Sequence, residues 1–334
     1  MIKQIIKKFL PKKISLFIQK RRFVQWVKQG FLYDYYRYMQ FSDNIHSDSS
    51  TKLIGKIIRE YHVIEKGLTM PERRLGFGKD RIISLCNICI RYIKMYKTDE
   101  PQLQHAISVL LEYKKLHETE HFLLDKEILD AIAKVESYNI HTGASQQLTF
   151  SKEEYFASIN KDFVRFSNSR KSIRNFTSEP ISQSQITHAL ELARNTPSAC
   201  NRQSWRTYVY SDKKLIEQIL EIQGGNRGFG HLANKLIIIC GEVGMFFGQA
   251  ERNEVFIDGG MYAMNLLYAL HYNKIGACIL NCSTSIEKDK TLRKFIPAKP
   301  SEVFIAMIVC GNVPETFSIP CSKRYNIDKT NKET

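Results

Sequence analysis

Two short segments of the chain carry side chains that suit the binding of a phosphorylated aromatic ligand. The first segment, residues 169–176, reads Ser-Arg-Lys-Ser-Ile-Arg-Asn-Phe and combines three cations with two hydroxyls. The second segment, residues 193–205, is rich in small residues and carries the amides of Asn201 and Gln203. Cations bind phosphate through charge-assisted hydrogen bonds, and amides pair with the polar edge of a heteroaromatic ring. The two segments therefore predict a ligand with a phosphate group and a planar ring.

The elements around these segments must hold them at a fixed separation. Between the segments, Ile186, Leu190 and Ala193 recur at helical spacing, which predicts a helix over residues 180–192. Further along, short apolar runs alternate with helical patterns: strands at 207–210, 235–240, 274–282 and 303–310, and helices at 212–222, 256–272 and 284–295. This alternation is typical of an α+β or α/β layer structure.

The N-terminal half shows helical patterns without a motif that carries chemistry. Apolar residues recur at helical spacing over residues 52–61, 81–97, 102–117 and 125–135. Gly67 is predicted to end the first of these helices as its C-cap. We therefore predict a leader over residues 1–41, an α-helical domain with its linker over residues 42–150, and the ligand-binding domain over residues 151–334.

Two side-chain pairs in the helical half have both a functional and a structural interpretation. His62 and Glu65 stand one helical turn apart and would suit an acid–base or metal pair, but no third ligand accompanies them, which favours a structural histidine. Cys86 and Cys89 have C-x-x-C spacing inside an apolar helical segment, which favours buried thiols over a metal or redox pair. The eight cysteines are scattered along the chain, a pattern typical of reduced cytoplasmic thiols.

Residues 1–41 form a basic leader, which we predict to consist of short amphipathic helices broken at Pro11 and Gly30. Residues 1–40 contain ten Lys or Arg and one acid, so they hold nine of the fifteen net positive charges. Basic helices with interfacial aromatics suit the surface of an anionic membrane. The alternative, slightly favoured, is packing on the second domain or on a dimer mate. Nucleic-acid binding is least favoured because no recognised motif accompanies the charge.

The location follows from the absence of targeting signals in the sequence. No apolar run reaches the length of about 20 residues that spans a bilayer, and no cleavable secretory signal is recognisable. The predicted location is the cytoplasm, or the inner face of the membrane if the leader contacts lipid.

Taken in order, these segments resemble the nitroreductase family of flavoproteins. The resemblance covers residues 160–330 and rests on residues 169–176, residues 193–205, the long helix and turn at 258–276, Ile296-Pro297, residues 309–314 and the late basic pair Lys323-Arg324. The fold it implies is α+β, a three-layer sandwich around a mostly antiparallel sheet, here preceded by the predicted α-helical domain.

The resemblance implies a binding site for flavin mononucleotide (FMN). Arg170 and Ser172 match positions that hold the phosphate and ribityl chain, with Lys171 between them. Arg174 matches the cation near the pyrimidine edge of the flavin, where the reduced ring gathers negative charge. The other matched positions are Pro197 and Ser198 beside the ring, Asn201 and Gln203 as amide contacts, Leu280 and Asn281 whose backbone faces the ring near N5, and Lys323 and Arg324 as cations that complete the phosphate site.

The activity implied by the resemblance is that of an NAD(P)H-dependent oxidoreductase. In the family's ping-pong mechanism, NADH or NADPH delivers hydride to FMN N5 and a small acceptor then takes the electrons. Because the cofactor performs the chemistry, the resemblance names no catalytic side chain, and no metal site is predicted. It also implies a homodimer with two FMN sites at the interface, the C-terminal segment of one subunit lying against the other.

Two departures from the family pattern leave the acceptor open. The helical and basic N-terminal half is not part of the common domain, and the interval between Gln203 and Gly276 leaves little room for the insertion that often covers the flavin. The alternative hypothesis is a flavin-fold binding or scaffold protein, docked by its leader to a membrane or a biosynthetic complex and with little turnover of its own.

Overall fold

The computed structural model describes residues 11–41, 49–142, 147–246 and 249–332. Its helices are α1 Lys12–Phe41, α2 Ser50–Leu68, α3 Lys79–Met95, α4 Pro101–Thr119, α5 Lys126–Glu136, α6 Lys152–Phe156, α7 Phe163–Ser169, α8 Gln183–Ala193, α9 Lys213–Gln223, α10 Glu254–Tyr272, α11 Ile286–Leu292 and α12 Ile327–Thr330. Its strands are β1 Leu148–Ser151, β2 Trp205–Tyr210, β3 Lys235–Glu242, β4 Gly276–Asn281, β5 Glu302–Gly311 and β6 Thr316–Ile319.

A four-stranded antiparallel sheet in the order β2-β3-β5-β4 forms the middle layer of the C-terminal half. Strand side chains alternate between the two faces, and β3 shows the result. Leu236, Ile238 and Cys240 join the apolar core with α9 and α11, while Ile237 and Ile239 join the core with α8 and α10. The predicted α+β fold, helices on both faces of an antiparallel sheet, is confirmed.

The helical region α2–α5 has an apolar core of its own. The buried residues of this core all lie between Leu53 and Val135, and they include Cys86 and Cys89, which are fully buried on α3. Burial raises the pKa of the Cys86 thiol to about 12. The two thiols thus occupy the structural position that their apolar surroundings predict.

The first and last strands of the sheet region, β1 and β6, connect it to the helical region. β1 pairs with β6 in a small antiparallel ladder, so the chain that leaves the helical region joins the C-terminal segment. Beyond β6, the backbone N–H of Cys321 donates to Gln147 Oε1 at 3.0 Å, and Lys329 forms an ion pair with Glu100 at 3.4 Å. The division into domains at residue 150 stays a prediction.

The leader differs from its prediction within the residues that the structure describes. α1 begins directly after Pro11, as expected, but it continues through Gly30 instead of breaking there. A glycine inside a helix costs only about 1 kcal/mol relative to alanine. At Gly30 packing favours glycine, because a Cβ would lie 2.6 Å from Gln249 Cγ and that side chain would have to move. The predicted helix before Pro11 lies outside the described residues, as do residues 42–48 that follow the leader.

Within the described ranges, every helix is too short or too polar to cross a bilayer.

Gly67 also differs from its predicted role as a helix end. α2 continues to Leu68, and Thr69 caps it by donating its backbone N–H and its hydroxyl to the carbonyl of Lys66. A Cβ at Gly67 would collide with the ring of Phe77, so the glycine allows the ring to lie directly on the helix backbone.

We predict that Gly67→Ala lowers the free energy of unfolding by roughly 1–3 kcal/mol, because the added methyl must displace the partly buried Phe77 ring. Gly55→Ala on the same helix is the matched control, since its Cβ meets nothing within 4 Å. That control should raise stability by about 1 kcal/mol through helix propensity. Urea denaturation of both variants checks the difference, and equal effects would contradict the packing role of Gly67.

Candidate functional site

The first segment lies extended beside strand β4 of the sheet. The backbone N–H of Ile173 donates to the carbonyl of Ala277 at 2.9 Å, and the Ile173 side chain is fully buried in the core. In an extended chain neighbouring side chains point in opposite directions, so Ser172 and Arg174 point away from that core. The side to which they point opens into a cavity.

This cavity, here called the cationic cavity, has a volume of about 770 Å³. That volume falls within the range of about 300–1,000 Å³ that is usual for small-molecule sites. Its walls come from α2, from residues 167–174, from α10 and from residues 319–324. Five cations line it: Arg170, Lys171, Arg174, Lys323 and Arg324.

The five cations have no anionic partner within the described parts of the chain. Burial, together with the neighbouring charges of Arg170 and Arg324, lowers the pKa of Lys171. The Nε atom of Arg174 is buried and has no hydrogen-bond acceptor among the described residues. Like charges held together in this way favour an anionic ligand, since such a ligand neutralises them and supplies the missing acceptors.

The helical region holds the C-terminal cations in place. The hydroxyl of Tyr61 donates to Gln102 Oε1 at 2.5 Å, and Gln102 Nε2 donates to the carbonyl of Lys323 at 3.5 Å. Gln102 is almost fully buried, so this contact orients the chain at Lys323 from inside the helical core. The preceding Ser322 has a φ of 48°, a left-handed conformation that a serine rarely adopts. The basic pair is thus held by tertiary contacts.

The second segment is joined to the first by α8 and is anchored at the start of α10. The carboxylate of Asp258, which is fully buried, accepts the backbone N–H of Ala199 at 3.1 and 3.2 Å. Arg202 forms a bidentate ion pair with Glu251 at 2.8 and 2.9 Å. These contacts explain how an irregular loop is held beside the sheet.

Backbone strain is concentrated in this loop. Cys200, Asn201 and Gln203 have φ angles of 52°, 55° and 48°, in the left-handed region that glycine favours. Such residues cost on the order of 1–3 kcal/mol each and persist where the surroundings enforce them, often at functional sites. The exposed amide of Gln203 donates to the carbonyl of Asn201 at 3.1 Å and to its Oδ1 at 3.2 Å.

The strained loop of the second segment and the cationic cavity lie at different positions along α10. Asp258 contacts Ala199 beside the loop and Asn265 contacts Ala193, Asn195 and Thr196 at the start of the segment, whereas Met264 and Tyr268 line the cationic cavity. Tyr268 follows Asp258 by ten residues, which is about 15 Å along a helix axis.

One chain therefore assembles only half of the predicted site. The residues that line the cationic cavity are Arg170, Lys171, Ser172, Arg174, Lys323 and Arg324. The residues that do not line it are Pro197, Ser198, Asn201, Gln203, Leu280 and Asn281. Leu280 has its side chain in the core, and the Asn281 side chain accepts the backbone N–H of Ser283 at 2.5 Å. Their predicted roles towards the ring stay predictions.

The cavity also includes residues that the resemblance does not assign to the FMN site. Ile58, Tyr61 and His62 of α2 form one wall, and Tyr268 of α10 forms another. The sequence shows His62 and Glu65 as neighbours on a helix, but it contains no sign that this helix faces the first segment. Only the packing of the helical region on the sheet region brings them together.

His271 contacts Ser169, the residue at which the first segment begins. Its Nε2 lies 2.8 Å from Ser169 Oγ, and its ring packs among Tyr155, Phe156 and Phe166. Burial and the nearby charge of Arg170 lower the pKa of His271 to about 4. The folded protein therefore holds this ring neutral at pH values where the unfolded chain protonates it.

We predict that this histidine makes the fold sensitive to acid. Since the unfolded chain binds the proton first, stability is complete above pH 6.5 and falls by roughly 3 kcal/mol between pH 6.5 and pH 4. His271→Gln removes the titrating ring, so the stability gap between wild type and variant should shrink on acidification. Urea denaturation at pH 7, 5.5 and 4.5 measures that gap. The exposed-histidine control His188→Gln should change much less, and a constant gap for His271→Gln would contradict the buried-neutral assignment.

Comparison with known proteins confirms the resemblance to one family. Residues 168–226 match the model of the nitroreductase family, and this stretch contains both segments. A nitroreductase family protein from Streptococcus pneumoniae is 17% identical, covering 52% of this chain and all of its own, with a TM-score of 0.45. An FMN-dependent nitroreductase from Clostridium difficile is 19% identical, covering 49% of this chain and 92% of its own, with a TM-score of 0.40. The comparison with curated proteins found no match.

Proposed function

We propose that this chain is an FMN-dependent oxidoreductase of the nitroreductase type that uses NADH or NADPH. The observation that carries the proposal is the cationic cavity, in which five cations meet without an anionic partner in the described chain. Three of the five come from the first segment, which lies inside the stretch that matches the family model. A phosphate ester with a planar ring is the ligand that such a cavity fits.

The residues present fit the phosphate and one edge of FMN. Arg170, Ser172, Lys323 and Arg324 would hold the phosphate and ribityl chain, since they line the same cavity from two sides. The buried, unpartnered Nε of Arg174 is a donor that an acceptor at the pyrimidine edge would satisfy. A fixed cation there also favours the negative charge of the reduced ring.

When bound, FMN would supply the redox chemistry: hydride from NAD(P)H is taken up and later passed to an acceptor, in a ping-pong sequence. The chain's own residues bind and orient the flavin and set the charge around it. No side chain is assigned a catalytic role. The physiological acceptor is a small molecule whose identity the proposal leaves open.

The proposal includes a homodimer, because one chain does not complete the site. Ile257, Met261 and Met264 recur at helical spacing along α10, and each is more than a third exposed. This apolar stripe runs between the strained loop of the second segment and the cationic cavity. An isologous contact through the stripe, with the two helices antiparallel, would bring the second segment of one subunit towards the cavity of the other.

A scaffold role is the second candidate, and the exposure of the leader favours it. On α1 the side chains of Phe17, Trp26 and Tyr36 are 64%, 40% and 65% exposed, among several lysines and arginines. Such a helix suits docking to a membrane surface or to another protein. This docking and the location in the cytoplasm stay predictions.

We predict that the purified protein binds FMN, shows the absorbance of an oxidised flavin, and is bleached by NADH or NADPH. Arg174→Gln should weaken FMN binding roughly ten- to hundredfold, the usual effect of losing a charged hydrogen bond. Arg73→Gln, which removes an exposed ion pair with Glu120, is the matched control. Fluorescence titration gives the affinities.

Three outcomes of these experiments distinguish the oxidoreductase from the scaffold protein. Protein that stays colourless with FMN would refute the proposal. Bound FMN that neither nicotinamide reduces, together with leader-dependent binding to vesicles, would favour the scaffold role. Unchanged FMN affinity in Arg174→Gln would remove that residue from the site.

We also predict that Met261→Asp yields a monomer with weak FMN binding, because a charge in the apolar stripe opposes self-association. Leu123→Asp is the control, since Leu123 is 94% exposed on the helical region. Light scattering after gel filtration reports the mass, and flavin absorbance reports the occupancy. A dimeric, fully loaded Met261→Asp protein would contradict the proposed interface.

A further inference from the structure

One face of α2 is turned towards the cationic cavity. Ile58, His62 and Lys66 follow one another at intervals of four residues, so they lie on the same side of the helix. Ile58 and His62 line the cavity. Lys66 lies one turn further along, where burial and the positive charge of Arg174 lower its pKa. A helix from outside the family match therefore forms a wall of the site.

Lys66 repeats the character of the five cavity cations. It has no anionic partner among the described residues, and it is half-buried beside Arg174. Burying a lysine next to an arginine is unfavourable unless an anion joins them. Lys66 is not among the residues that line the cavity, but it lies one turn from His62 on the same face of α2, so it adds positive charge at the edge of that wall.

His62 is held by a fully buried carboxylate. Glu65 lies 2.8 Å from His105 Nε2 on one side and 3.5 Å from His62 Nδ1 on the other. Burial raises the pKa of Glu65, but its hydrogen bonds to His105 and His62 outweigh burial, so the net shift is downward. The carboxylate thus stays ionised in the core and fixes the orientation of the His62 ring, whose other nitrogen is free to meet a ligand.

We infer that α2 is a binding wall of the FMN site, an inference that rests on the proposed function. His62 contacts the phosphate end of FMN from the side opposite the first segment, and Glu65 positions its ring. Lys66 joins Arg174 at the polar edge of the flavin ring. The helical region is then a cover for the flavin that belongs to the same chain as the cationic half of the site.

The two assigned contacts make different predictions for two flavins. Riboflavin has the ring of FMN without its phosphate, so it tests the ring contacts alone. His62→Gln should weaken FMN binding about tenfold and leave riboflavin binding unchanged. Lys66→Met should weaken both flavins about tenfold, and Lys66→Arg should restore most of the loss because it returns the charge. Fluorescence titration of the full-length protein measures each affinity.

Lys66 has a second readout in the reduction potential of bound FMN. If Lys66→Met costs reduced FMN ten times more affinity than oxidised FMN, the potential falls by about 30 mV. A merely structural lysine would not separate the two redox states in this way. Lys115→Met and His141→Gln are the matched controls, since both residues are exposed and lie outside the cavity. Should Lys66→Met fail to fold, Lys66→Gln replaces it.

The outcomes separate the inference from the proposed function. If wild type binds FMN but His62→Gln and Lys66→Met bind both flavins as the controls do, the wall assignment is wrong and the FMN function stands. If His62→Gln weakens FMN and riboflavin equally, the histidine does not contact the phosphate. Wild-type protein that binds neither flavin overturns the proposed function and the inference together.

Discussion

The mutual repulsion of cations around one cavity is the constraint on which the rest of this structure depends. Five cations line the cavity, Lys66 stands beside them, and none has an anionic partner within the described chain. Such a cluster is unfavourable in an empty protein, and neighbouring structure must hold it together. The first segment is held by its backbone bond to β4, and Lys323 by Gln102 from the helical core. An anion bound among these cations would relieve their repulsion.

The two halves of the chain therefore form one binding unit, even though each has its own apolar core. The helical region contributes the wall at His62 and the support at Tyr61 and Gln102, while the sheet region contributes the first segment. In the proposed function, this helical wall would take the place of the insertion for which the interval after the second segment leaves little room. α10 lies between this half-site and the strained loop, an arrangement that agrees with the proposed homodimer.

Local patterns predicted much of the fold because they reflect local physics. The helix at 256–272, the strand at 303–310 and the buried C-x-x-C pair all follow from periodicity and apolar surroundings, and the structure agrees with them within a few residues. The errors at Gly30 and Gly67 have one cause. Both glycines were expected to end a helix, whereas each stays helical because Gln249 or Phe77 packs against its Cα. The sequence alone does not distinguish a glycine that is needed for a distant packing contact from a glycine that is needed for a turn.

The sequence by itself determined which side chains are able to bind an anion and that they are concentrated in one segment. The order of cations and hydroxyls at 169–176 specifies an anion site, because charge and hydrogen-bonding capacity belong to the residue types themselves. Only the tertiary structure decided which of the predicted residues share a cavity. It placed Lys323 and Arg324 beside the first segment, kept Asn201 and Gln203 apart from it, and added His62. These proximities depend on how helices and sheet pack over more than a hundred residues of separation, which spacing along the chain does not encode.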